Sequence, residues 1–255
     1  MSVSEIRAKI CDETFKFSDR LSMEFKDIWS SPEIEFGLED ILPEVQFEKT
    51  FQNIEYGEAP NEAIKYLISR DIEYHHVETY DIRYDPVRKR IVFPVKVDGR
   101  LLGWQSRYIY NETFVDKTGK EIYVPKIITS TGLQKDKVLM FQDRLKGSKR
   151  CILTEGPVSA IKCHKIGGNV ASMGKAVSNT QLEIIKNSVS ELYIGLDPDA
   201  TEEIDVIARK LYGILDLYYL PPPNGKEDLG EASEDEVLEE FRHAKPMAGT
   251  FYLYF

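Results

Sequence analysis

Residues 151–163 read CILTEGPVSAIKC and residues 192–200 read LYIGLDPDA, and the fold follows from how these two stretches are built. Each is a short apolar run, the length of a buried strand, that stops at an acid followed by turn formers: Glu155 before Gly156-Pro157, and Asp197 before Pro198-Asp199. Around them, the helical patterns VSAIKCHKIG (158–167), NTQLEIIKN (179–187) and EEIDVIARKLYGIL (202–215) alternate with apolar NVASMG (169–174) and LDLYYLPPP (215–223). Asn179 or Thr180 is expected to cap the second of these helices. Short apolar runs alternating with helices of ten to fifteen residues predict βαβ units and a mainly parallel sheet.

Upstream the pattern changes. RIVFPVKVDGRLLGWQSRYIY (90–110) is two β-rich runs divided by Asp98-Gly99, the strongest short-range signal for a tight hairpin. A helix is expected over 61–69, where Ala63, Ile64, Leu67 and Ile68 recur at helical spacing behind Pro60, and EIYVPKIITS (121–130) is again β-rich. Ser31-Pro32 offers a helix start and Pro43 a stop in the first sixty residues, which carry no recognisable chemistry. A soft boundary falls near 147–150.

Charge divides the chain along similar lines. The formal net charge is −10, which would be a poor footprint for a protein that coats nucleic acid, yet residues 88–150 hold 15 basic side chains against 6 acidic ones. A local cationic surface on an acidic protein suits contact with a polyanion at one place, and a merely solvated face would look the same.

In open parallel sheets, functional groups collect at the carboxyl ends of strands, where Glu155, Asp197 and Asp199 fall. Magnesium takes oxygen ligands, keeps several waters and needs only a few carboxylates. Taken singly, each motif also suits a structural role, Glu155 as an acid facing a helix N-terminus and Asp197-Pro198-Asp199 as a capped turn.

LTEGPVSAIKC, with Glu155, and YIGLDPDA, with Asp197 and Asp199, resemble the two motifs of the Toprim domain shared by bacterial-type DNA primases, topoisomerases and several small nucleases. That domain carries a glutamate in an E-G motif after its first strand and a D-x-D after its third. GGNVASMGKAVSNTQLEII looks like the primase version of the segment between them, so the resemblance spans most of 151–229. AIKYLISRDI, RIVFPVKVDGRLLGWQSR, then VPKIITSTG and VLMF are similar in order and spacing to the basic amino-terminal subdomain of the DnaG-type primase core.

The resemblance implies an α/β fold: a Toprim-like, mainly parallel sheet flanked by helices, preceded by a mixed α+β basic subdomain. The divisions it implies are 1–60, an acidic segment without assigned role; 61–150, the basic subdomain; 151–230, the Toprim domain; and 231–255, a C-terminal helix and tail. It implies a DNA primase that joins ribonucleotides on a single-stranded DNA template with Mg2+ or Mn2+. Glu155, Asp197 and Asp199 are then catalytic and metal-binding, and either Glu227 or Asp228 is a further candidate ligand, in a Gly225-Lys226-Glu227-Asp228 stretch whose register against the family is open and where both acids could equally be solvated. Arg107, Lys126 (in K-x-x-x-S, ending at Ser130) and Lys175 are then the residues that meet template or nucleotide triphosphate. One departure stands out: where the family usually has an aspartate four residues after the glutamate, this chain has Ser159, which leaves the number of metals open.

Two rival readings use the same residues. A Toprim nuclease would activate water with these acids, and an inactive replisome scaffold would explain Ser159 and the acidic balance. The hairpin subdomain favours primase over nuclease, and the retained acids disfavour the scaffold. Cys11, Cys151 and Cys163 lie too far apart for a zinc ribbon, so no zinc module is expected, and template recognition or helicase contact would come from separate polypeptides, as in compact phage or plasmid primases. The acidic first sixty residues and the aromatic ending FYLYF are candidate docking surfaces, the latter better suited to packing on the core. The histidines, among them the adjacent pair His75-His76, are expected in packing or surface roles. No apolar run approaches a membrane span, which implies a cytoplasmic protein.

Overall fold

A computed structural model describes residues 44–55, 61–110, 114–115 and 118–247, all within one unit spanning Leu42–Phe255. Cys11, the Ser31-Pro32 start, the Pro43 stop, Pro60 and the ending FYLYF lie outside the described residues.

The first half is built on an antiparallel sheet. In chain order it comprises β1 (Gln52–Asn53), helices α1 (Glu62–Ser69) and α2 (Tyr74–Thr79), then strands β2 (Arg83–Asp85), β3 (Arg90–Val97), β4 (Arg100–Tyr108), a small β5–β6 pair (Phe114–Val115 with Glu121–Ile122) and β7 (Ile127–Thr129). The sheet order is β1-β2-β3-β4-β7. Helix α1 starts where its apolar spacing predicts, with Asn61 Oδ1 accepting from the Ile64 N–H at 3.0 Å. The β3–β4 hairpin turns at Asp98 and Gly99, both at positive φ (53° and 75°), which is what a tight two-residue turn demands. Their N–H groups donate to the two carboxylate oxygens of Asp143 at 2.8 and 2.9 Å, tying the turn to the segment that leads into the second sheet.

The second half alternates as expected: β8 (Arg150–Thr154), α3 (Pro157–Lys162), β9 (Asn169–Ala171), α4 (Asn179–Ser188), β10 (Glu191–Ile194), α5 (Thr201–Leu211), β11 (Asp216–Tyr219) and α6 (Glu234–His243). All four strands are parallel, in the order β11-β10-β8-β9. Side chains alternate between two buried faces. Cys151, Leu153, Leu192 and Ile194 join Leu182 and Ile185 of α4 and Ile204 and Ile207 of α5 in one cluster, while Ile152 and Tyr193 pack with Val237 of α6 in the other. Cys151 and Cys163 are both free and buried. No helix among the described residues is long and apolar enough to cross a membrane.

Three details differ from the sequence reading, the first being that helix α3 stops at Lys162, well short of the expected Gly167. Helix α4 is capped one residue earlier than expected, by Ser178, whose Oγ accepts from the Gln181 N–H while Gln181 Oε1 accepts from the Ser178 N–H. This reciprocal pair satisfies two helix-end donors at once, which Asn179 in the first turn could not do. Helix α5 ends at Leu211, short of the expected Leu215, because the chain turns at Gly213 (φ 75°) into β11.

Candidate metal and phosphate site

Strand order positions the site. From β8 the chain crosses to β9 on one side; it then returns to β10 on the other side and continues outward to β11. Neighbouring strands β8 and β10 therefore send their connections in opposite directions, and a crevice opens beyond their carboxyl ends. Glu155 is the first residue after β8, and Asp197 follows β10 by three. Glu155, Asp197 and Asp199 each present a carboxylate oxygen such that all three lie within 4.8 Å of one another.

Asp228 joins them from the segment after β11, on the wall of the same cleft. It is seated closely: a Cβ on Gly230 would stand 2.9 Å from Asp228 Oδ1 and 3.2 Å from Ser159 Oγ, so glycine is needed for the close approach. Glu155 Oε1 and Asp228 Oδ1 are buried without a hydrogen-bond partner. Burial, reinforced by the Asp197 charge, pushes the Glu155 carboxyl up to about 7, against the opposing pull of Lys175. Burial also raises Asp197, followed by the charges of Asp228 and Asp199. Orphaned, mutually repelling carboxylate oxygens with no nitrogen or sulfur among them form a donor set that fits a hard divalent cation such as Mg2+ or Mn2+.

Basic residues line the same cleft. The cleft encloses about 530 Å3, and its lining includes Arg70 from the end of α1, Gln105 and Arg107 on β4, and Lys126 just ahead of β7. Arg107 pairs with Ile127 across the β4–β7 ladder, and the Lys126 carbonyl accepts from the Tyr108 N–H at 2.9 Å, so the sheet fixes both basic residues. Arg107 and Lys126 are thus brought together with Glu155, Asp197 and Asp228. Lys175 follows Gly174 of the cleft lining without lining the cleft itself, and its ammonium is bonded to Asp199. Ser159 is buried on the cleft wall. No local pattern marks Arg70, which follows α1 in a stretch of acidic balance; only the docking of that helix end on the cleft exposes its place.

A second group of possible ligands, His75, His76 and Glu234, is accounted for structurally. The buried His76 accepts the Glu73 N–H at Nδ1 (3.0 Å), so its proton sits on Nε2, which donates to Glu234 Oε1 at 2.8 Å. A metal at Nε2 would require removing that proton while Nδ1 still accepts, which a neutral imidazole cannot provide. Burial lowers the proton affinity of His76 further. The pair instead ties α2 to α6.

No family model and no curated protein matches the chain. Solved structures do match. A DnaG primase catalytic domain bound to single-stranded DNA superposes with a TM-score of 0.59 at 16% identity, over 76% of each chain. The RNA polymerase domain of Mycobacterium tuberculosis primase DnaG gives 0.55 at 15% identity, over 72% of this chain and 76% of that one. The zinc-binding and RNA polymerase domains of Aquifex aeolicus primase give 0.52 at 21% identity, over 76% of this chain and 52% of that one. At these identities the likeness speaks to architecture: a parallel four-stranded sheet flanked by helices and joined to an antiparallel sheet, which is the fold of the DnaG primase catalytic core.

Proposed function

We propose that this chain is a DNA primase, joining ribonucleotides into short RNA primers on a single-stranded DNA template during replication. The observation that carries the reading is that one cleft is lined by two unlike groups: orphaned acids at the switch point of the parallel sheet, and Arg70, Arg107 and Lys126 held by the antiparallel sheet and α1. A nucleic-acid-joining site needs both, because the reacting phosphates are anions that the acids alone would repel.

On this reading Glu155, Asp197, Asp199 and Asp228 hold Mg2+ or Mn2+. When bound, the ion lowers the barrier to attack of a 3′-hydroxyl on an α-phosphate by neutralising developing charge. The chain's own contribution is positioning. Arg107 offers a planar fork suited to bidentate contact with phosphate, and Lys126 offers a point charge beside it. Glu155 acts either as one of these ligands or as the base that takes the proton of the attacking hydroxyl. Residues 61–150 then guide template and nucleotides, 151–230 carry the acids, 231–255 form a C-terminal helix and tail, and a replicative helicase supplies context in the cytoplasm.

Purified protein incubated with single-stranded template, Mg2+ or Mn2+ and labelled ribonucleotides should yield short oligomers that disappear with Asp197→Ala. Template cleavage without synthesis would replace the reading with a nuclease. Neither activity, even with helicase present, would replace it with a scaffold.

A further inference from the structure

Lys175 is aimed at the acids by a pinned turn. Residues 172–178 join β9 to α4, and the turn at their start is tied to the end of β8 on both sides of the first acid: the Ser172 N–H donates to the Thr154 carbonyl and the Met173 N–H to the Glu155 carbonyl, both at 3.0 Å. Ser172 Oγ closes the turn by donating to the Gly174 carbonyl at 2.6 Å. Met173 adopts a left-handed conformation (φ 65°) that a side-chain-bearing residue enters only under constraint. The outcome is that Lys175 Nζ meets Asp199 Oδ2.

That ion pair is placed to be broken. Its side chains are 62% and 68% exposed, a setting in which a single lysine–carboxylate pair is weak, and the carboxylate it occupies belongs to the group of three that converge within 4.8 Å. A divalent ion at the cluster would compete for the same carboxylate with twice the charge. The lysine also eases the repulsion among its neighbours, opposing the upward shift of both Glu155 and Asp197.

We propose that Lys175 is a displaceable counter-ion: it neutralises Asp199 until a divalent cation binds, and is then released beside the cleft, where it can meet the phosphates of an incoming nucleotide. The proposal rests on the reading of Glu155, Asp197 and Asp199 as metal ligands. Metal entry and lysine release are then one linked event, so the metal binds more weakly than to the bare acids, and triphosphate, by drawing the lysine away, strengthens metal binding in return.

The test is direct Mn2+ binding to the full chain, followed by the electron paramagnetic resonance signal of the free ion and by calorimetry, without reference to catalysis. Lys175→Met, which keeps the length and removes the charge, should bind Mn2+ about three- to tenfold more tightly than the parent. Lys175→Arg, which keeps the charge, should not. In an Asp199→Asn background the gain from Lys175→Met should vanish, because the pair no longer exists. Mn2+ binding that is unchanged or weaker in Lys175→Met, or a gain that persists in the double variant D199N/K175M over D199N alone, overturns the counter-ion role while leaving the metal site standing. Absence of Mn2+ binding in the parent and in Lys175→Met alike overturns the metal-site reading and this proposal with it.

Discussion

Replacing Glu155 by glutamine should stabilise the metal-free protein at alkaline pH, although it removes a candidate catalytic group. The Glu155 carboxyl is raised from 4.5 to about 7, chiefly by burial and then by Asp197. The folded chain therefore holds this proton more tightly than the unfolded chain does. Stability from this group is fully present below the unfolded value near 4.5 and is lost as pH rises through about 7. Taken whole, at about 1.4 kcal/mol for each tenfold in proton affinity, the displacement is worth about 3 kcal/mol. Glu155 is only half-buried, and water screens much of the repulsion, which reduces the expected penalty to about 1–1.5 kcal/mol. Glutamine keeps the shape and carries no charge, so Glu155→Gln should melt about 3–5 °C above the parent at pH 8.5, with chelator present. At pH 4 the two should melt together. Added Mg2+ should raise the parent at pH 8.5 and raise the variant less, since the ion relieves the same repulsion. The assay is differential scanning calorimetry across this pH range. Equal melting temperatures at pH 8.5, or an equal advantage at both pH values, would refute the electrostatic account of the cluster.

Other outcomes test other parts of the structure. Gln181 is buried, the two hydrogens of its Nε2 shared among the carbonyls of Lys135, Val138 and Ser172 and its Oε1 accepting from the Ser178 N–H; Gln181→Ala should cost about 2–4 kcal/mol in urea unfolding by orphaning those groups. Gly168 sits at φ 67° with a would-be Cβ 2.0 Å from the Arg150 carbonyl oxygen, so Gly168→Ala should cost about 3 kcal/mol or prevent folding, read by circular dichroism melts. If Arg107 and Lys126 meet nucleic-acid backbone, Arg107→Ala and Lys126→Ala should each weaken single-stranded DNA binding and flatten the plot of log affinity against log salt by about 0.7, measured by fluorescence anisotropy. An unchanged slope would remove that residue from the backbone contact.

Local patterns account for a good deal of this fold. The Asp98-Gly99 turn, the apolar spacing behind Asn61 and the alternation of short apolar runs with helices depend on chemistry within a few residues, and the hairpin, α1 and the β/α order follow them. The same holds for the acids at strand ends and for the crowding of basic residues into 88–150. Even locally there are competitors: Ser178, Asn179 and Thr180 can all cap a helix, and the reciprocal bond with Gln181 chooses Ser178.

What periodicity cannot express is which strands become neighbours. An apolar run states that a strand is buried, not what lies beside it, and the placing of β8 against β10 is what brings Glu155 to Asp197. Asp228 reaches them through the close packing that Gly230 permits, and Arg70 through the docking of a helix end. Lys175 is readable as a cation near phosphates, but its engagement with Asp199 requires the pinned turn at Met173. Which groups carry charge and where each strand stops are legible in the order of the amino acids. Which charges face each other is settled only on folding, because it depends on contacts between residues far apart in the chain.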